Sequence, residues 1–141
     1  MDKIEKIMLK IQSVLTDDLL TKKYKKLQRK TLTQGHCYAA SEALYYLLGG
    51  KKEGYTACVA SFIENDEKFT HWWIKNKNDQ ILDPTAEQFY SVGKKPPYEL
   101  GKNCGFLTAK PSKRAQIILN RLSDLGVQSN ISQKPIKIKK P

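Results

Sequence analysis

The sequence predicts an α+β fold, with a helix that opens on a cysteine packed against a small antiparallel β-sheet and further helices at both chain ends. Three observations carry this prediction. Apolar residues recur at three- and four-residue spacing near both ends and across residues 37–48. Between them lie β-rich segments separated by short polar turns. The length, 141 residues with 40% hydrophobic and 28% charged, suits one globular domain.

The first segment places Ile4, Ile7, Met8, Ile11 and Leu15 on one helical stripe with lysines outside it. Asp17 and Asp18 read as a stop and a new cap, so a second helix is expected from about Leu19 to Arg29, with Leu20, Tyr24 and Leu27 inward. After TLTQGH, the run CYAASEALYYLLGG has helical spacing and ends in two glycines, where a left-handed cap costs least. YTACVASFI, FTHWWIK and QILDPT, joined by the turns ENDEK and NKND, read as a three-stranded meander. A short helix or turn at AEQFY, a loop through GKKPPYELGKNCG and a last helix from about Pro111 to Leu125 complete the expected domain, residues 1–125. Residues 126–141 read as a basic flexible tail.

The net charge of +11 is unevenly spread. Residues 1–30 carry nine Lys/Arg against four Asp/Glu and residues 110–141 eight against one, whereas residues 31–109 carry eight against nine. The basic flanks are read as solvated lysine faces in preference to a nucleic-acid or membrane-surface footprint, because no nucleic-acid-binding motif accompanies them. No apolar run approaches the roughly 18 residues of a membrane span. The N-terminus lacks the apolar block of a secretory signal, so the expected location is cytoplasmic. The oligomeric state is not legible here.

Three cysteines, Cys37, Cys58 and Cys104, form neither a disulfide framework nor a zinc-ligand pattern, and no metal or cofactor is expected. Cys58 lies in an apolar strand and reads as core; Cys104, in the loop GKNCG, reads as non-catalytic. Cys37 stands at a helix start, where the helix dipole favours a thiolate. A nucleophilic thiol also needs a base, and only His36 and His71 are available. His36 is the neighbour of Cys37, and successive helical side chains diverge by about 100°. His71 on the middle strand is therefore the candidate base. Asp83 on the next strand is the candidate to orient it: with a hairpin loop of Asn76, Lys77 and left-handed Asn78, Lys75 faces Asp79, Trp73 faces Ile81 and His71 faces Asp83. A two-residue loop puts Asp83 opposite Trp72 instead. Each residue alone has a plainer structural reading; the helix-start Cys, strand His and next-strand Asp together favour a catalytic triad.

The segments QGHCYAASEALYYLLGG and THWWIKNKNDQILDPTAEQF resemble the core of the transglutaminase-like superfamily of papain-like cysteine enzymes. The resemblance covers roughly residues 33–90. It implies a papain/transglutaminase-like core with Cys37 as nucleophile, His71 as general base and then acid, and Asp83 as orienting carboxylate. Gly35-His36-Cys37-Tyr38 stands where animal-type transglutaminases have Gly-Gln-Cys-Trp, so protein crosslinking is not implied. The compact form is closer to bacterial and viral proteases, amidases and deamidases. Gln34 and His36 are the candidate oxyanion donors, and Tyr38, Trp72 and Trp73 the candidate substrate groove. The implied activity is hydrolysis or acyl transfer at a peptide, isopeptide or glutamine-type amide of a protein substrate, an acidic one suiting the basic flanks. The competing reading is a catalytically silent papain-like module that binds a protein or nucleic acid through its basic surface.

Overall fold

The computed structural model describes residues 2–26 and 35–128. Among them are five α-helices, α1 (Lys3–Ser13), α2 (Lys22–Lys26), α3 (Cys37–Leu47), α4 (Glu87–Tyr90) and α5 (Lys113–Asp124). Four strands, β1 (Thr56–Glu64), β2 (Glu67–Lys75), β3 (Ile81–Leu82) and β4 (Lys102–Cys104), form one antiparallel sheet in the order β3-β2-β1-β4. The α+β architecture follows the sequence expectation.

Each helix start has a local cause. The Asp2 carboxylate accepts from the Glu5 amide to open α1, and the Ser112 hydroxyl accepts from the Ala115 amide to open α5. α3 ends at Leu48 because Gly49 takes φ 107°, a left-handed turn that a Cβ disfavours. α1, α3 and α5 pack together. Ile7, Ile11, Ala40, Leu44, Ile118 and Leu119 are buried at their centre with Ile74 of β2. The alanines of α3 allow its neighbours to approach closely, and each fully buried Leu or Ile contributes about 1.5–3 kcal/mol.

β1 and β2 join through Asn65 and Asp66, both with positive φ, in a two-residue turn that matches strand twist. Side chains alternate along β2. Ile74 joins the helical core, while Trp73 packs with Cys58, Ala60 and Tyr98 on the opposite face. Cys58 is thus core, as its strand pattern implied.

Four expectations are corrected. The β2–β3 pairing is Ile74 with Leu82 and Lys75 with Ile81, so the loop has five residues, 76–80, in place of three. The left-handed residue is Asp79, φ 60°, and not Asn78. The Asn76 side chain organises this loop by accepting from the amides of Asn78 and Gln80. The sheet has a fourth strand, β4, cut from a polar loop and paired only with Ala57, Cys58 and Val59. The expected helix from Leu19 is a 3-10 turn, Asp17–Leu19, followed by the separate α2, because Leu20 is extended. Residues 27–29 of that expected helix, Gln34 and most of the expected tail, 129–141, lie outside the described residues. Among the described residues no helix is long and apolar enough to cross a membrane.

Candidate active site

α3 begins on Cys37, so the thiol stands where the first-turn amides point outward with no intrahelical acceptor. The helix is held beside β2 along a stretch that β3 is too short to pair. There the Cys37 thiol donates to the Thr70 carbonyl at 3.7 Å, and one helical turn on the Ser41 hydroxyl donates to the Trp72 carbonyl at 3.0 Å. Gly35 makes the approach feasible. With φ +89° it turns the chain into α3, and a Cβ there would lie 2.7 Å from the Tyr24 ring of α2.

His71 extends from β2 with 1% of its surface exposed. Its Nε2 lies 2.6 Å from Asp83 Oδ2, the length of a charge-assisted hydrogen bond. The two-residue register difference leaves this pair on one face because strand alternation has period two. Asp83 lies just past the end of β3, diagonal to His71 instead of directly opposite, and still reaches it. Asp83 is itself held from two sides. The Thr85 amide donates to Oδ1 at 3.1 Å, and the Tyr98 hydroxyl donates to Oδ2 at 2.8 Å. Gln88 secures Thr85 by donating to its hydroxyl at 3.1 Å and its carbonyl at 3.0 Å.

Aromatic rings enclose the imidazole. Trp73 stacks on it at 5.6 Å, and Phe89 of α4 meets it edge-on at 4.7 Å. Burial alone would hold the His71 pKa down; hydrogen bonding and charge from Asp83, together with Cys37 beside the ring, outweigh it and raise the pKa to about 9. His71 Nδ1, the nitrogen left after Asp83 takes Nε2, is buried and makes no hydrogen bond, since the Cys37 thiol is turned to Thr70. The Cys37 thiol nonetheless lies close enough to the imidazole to help raise its pKa. Tyr24, whose pKa is raised to about 12 by burial and then by the charges of Cys37 and Glu67, packs beside Gly35 and Phe69. Cys37 is 7% exposed.

The structure therefore brings Cys37, His71 and Asp83 together. Other sequence candidates lie in different settings. His36 is fully buried immediately before α3. Gln34 lies outside the described residues. Tyr38 and Trp72 are half-buried and touch edge to face at 4.7 Å; Phe106 stacks on Trp72 and the Leu107 amide donates to the Tyr38 hydroxyl. This patch adjoins Cys37 through Tyr38. Trp73 does not belong to a groove: at 2% exposure it is wedged behind His71, with its ring so close to Gly101 that a Cβ there would lie 2.5 Å away. Tyr98, Thr85 and Phe89 were not singled out in the sequence. Only Thr85, in Asp83-Pro84-Thr85, carries a local signal, that of an Asp-capped turn; Tyr98 is brought in by folding of a polar loop.

Among the described residues no three of His, Cys, Asp or Glu are grouped as a metal would require. Comparison with protein-family models, curated proteins and solved structures yields no match for this chain.

Proposed function

We propose that the protein is a Cys-His-Asp thiol hydrolase or acyltransferase acting on a peptide, isopeptide or glutamine-type amide, with the transglutaminase-like resemblance of its motifs as a second support. The observation that carries this reading is the ordered chain of Cys37 at a helix start, His71 with a spare Nδ1, and Asp83 on Nε2. The thiol proton passes to His71 Nδ1, forming the thiolate–imidazolium pair that Asp83 favours; the Cys37 sulfur then attacks the amide carbon, and the C=O electrons move onto oxygen. First-turn amides of α3, that of Cys37 first, face this oxyanion. The C–N bond then breaks, and the proton on His71 goes to the departing amine or ammonia. Water, deprotonated by His71, attacks the thioester and returns the thiol. An amine in place of water gives acyl transfer.

Asp83 keeps the Nε2–H of His71 in place and orients the ring throughout, so that the proton exchanged in each step is the one on Nδ1, and the aromatic enclosure removes water that would weaken this pair. A free thiol nucleophile suits the reducing cytoplasm. The basic flanks favour an acidic protein substrate, which predicts affinity that falls as salt is raised.

A panel of glutamine-containing and isopeptide-linked peptides tests the reaction directly. The expected result is ammonia or amine release, with a Cys37-linked acyl group detected by mass spectrometry and lost in Cys37→Ala. Binding of such peptides with equal strength by wild type and Cys37→Ala, and no release from any, would instead identify a silent papain-like binding module.

A further inference from the structure

We propose that Tyr98 is a positioning residue that sets how tightly Asp83 holds the proton of His71, an inference that rests on the triad reading above. The Tyr98 hydroxyl donates to Asp83 Oδ2 at 2.8 Å, and Oδ2 is the same oxygen that meets His71 Nε2 at 2.6 Å. Two donors therefore share one carboxylate oxygen. A donor on that oxygen draws off part of its negative charge and leaves less for the imidazolium.

The hydrogen bond has a fixed direction. Burial first, and then the Asp83 charge, push the Tyr98 hydroxyl far above its ordinary range, so Tyr98 stays a neutral donor wherever the enzyme works. Its ring is fixed as well: it meets Trp73 edge-on at 5.0 Å, and Trp73 in turn stacks on His71. The 3-10 turn Tyr98–Leu100 that carries it packs against β1, so the hydroxyl comes from a different part of the fold than either triad partner.

Among the described residues the groups that face His71 are few: Cys37 from α3, Asp83 after β3, Tyr98 from the 3-10 turn, and the uncharged rings of Trp73 and Phe89. Tyr90 acts on Tyr98 and not on the imidazole. Of the ionisable groups, Tyr98 alone reaches His71 through Asp83. His71 must bind the thiol proton and also release it to a leaving amine. A carboxylate without the Tyr98 donor would favour the first step at the expense of the second.

The test is histidine titration by NMR on the full chain carrying Cys37→Ala, which removes the thiol charge and needs no turnover. Signals are assigned with His36→Gln. Tyr98→Phe is expected to raise the His71 pKa by about half a unit or more, because a hydrogen bond to a charged group is lost. With Asp83→Asn also present, Tyr98→Phe should leave the His71 pKa unmoved. Site-specific 3-fluorotyrosine at position 98, a stronger donor with the same shape, should lower it. Opposite shifts from the weaker and stronger donor are not expected of a purely packing role. An unchanged or lowered pKa in Tyr98→Phe, an equal shift with Asp83→Asn, or no response to fluorotyrosine overturns the proposal. Because the readout is titration, these outcomes are independent of whether any amide is hydrolysed.

Discussion

The buried carboxylate of Asp83 accepts from His71, Tyr98 and Thr85 while its side chain is 2% exposed. Such a site tolerates the charge only because every partner is a donor. Replacing it by Asn keeps the shape and removes the charge that raises His71, leaving burial to act unopposed from that side. Asp83→Asn is accordingly expected to bring the His71 pKa down by more than one unit, read by histidine NMR. It should also lower amide turnover about 100-fold or more, the scale of a lost acid–base contribution. Trp72 and Trp73 are both groove candidates in the sequence, with core packing expected for whichever faces inward; strand alternation sends them to opposite faces, Trp73 buried behind His71 and Trp72 to the half-buried Tyr38 patch.

At the scale of elements, α5 and α3 meet through a buried polar link. Fully buried Glu42 of α3 accepts from the Ser112 amide at 2.8 Å and from its hydroxyl at 2.6 Å. Ser112→Ala removes both the α5 cap and a partner of a buried carboxylate, and should lower stability by about 1–3 kcal/mol in chemical denaturation. α2 rests on the start of β2 more loosely. Lys23 donates to the Lys68 carbonyl at 2.8 Å, pairs with Glu67 at 3.5 Å and lies 4.1 Å over the Phe69 ring, all at the surface. Because Tyr24 on this helix packs against Gly35, two residues before Cys37, Lys23→Ala should speed Cys37 alkylation severalfold while leaving the melting temperature nearly unchanged.

The elements were legible in the sequence to differing depth. α1, α3 and α5 carry strong periodicity, and α3 ends at the glycine the sequence marks, so their positions follow from residues alone. The His71–Asp83 pairing was legible as a shared face but not as a register. Asn76 folds a five-residue loop through side-chain bonds to Asn78 and Gln80, and propensity cannot distinguish that loop from a three-residue one. β4 and the Tyr98 turn were illegible because both depend on tertiary partners: β4 on the open edge of β1, Tyr98 on Asp83 and Trp73.

For the whole molecule, the raised His71 pKa makes stability depend on pH. The folded value, about 9, lies above the ordinary 6.5, so folding takes up a proton between these values. The contribution is complete below pH 6.5 and is lost as pH rises through about 9. Thermal midpoints should therefore fall across that interval, and His71→Gln should flatten the fall. A wild-type curve indistinguishable from the variant's would show that the buried pair holds no extra proton. Under the proposed mechanism the same proton links stability to chemistry: the proton that Asp83 helps His71 hold in the fold is the one passed to a leaving group.

The most direct measurement is the pH dependence of Cys37 alkylation by iodoacetamide from pH 5 to 9, mapped by mass spectrometry in wild type and His71→Ala. The expected result is selective labelling of Cys37 that persists well below pH 8 and is weakened when His71 is lost. Labelling that rises only as for an ordinary thiol, identically in both proteins, would contradict it.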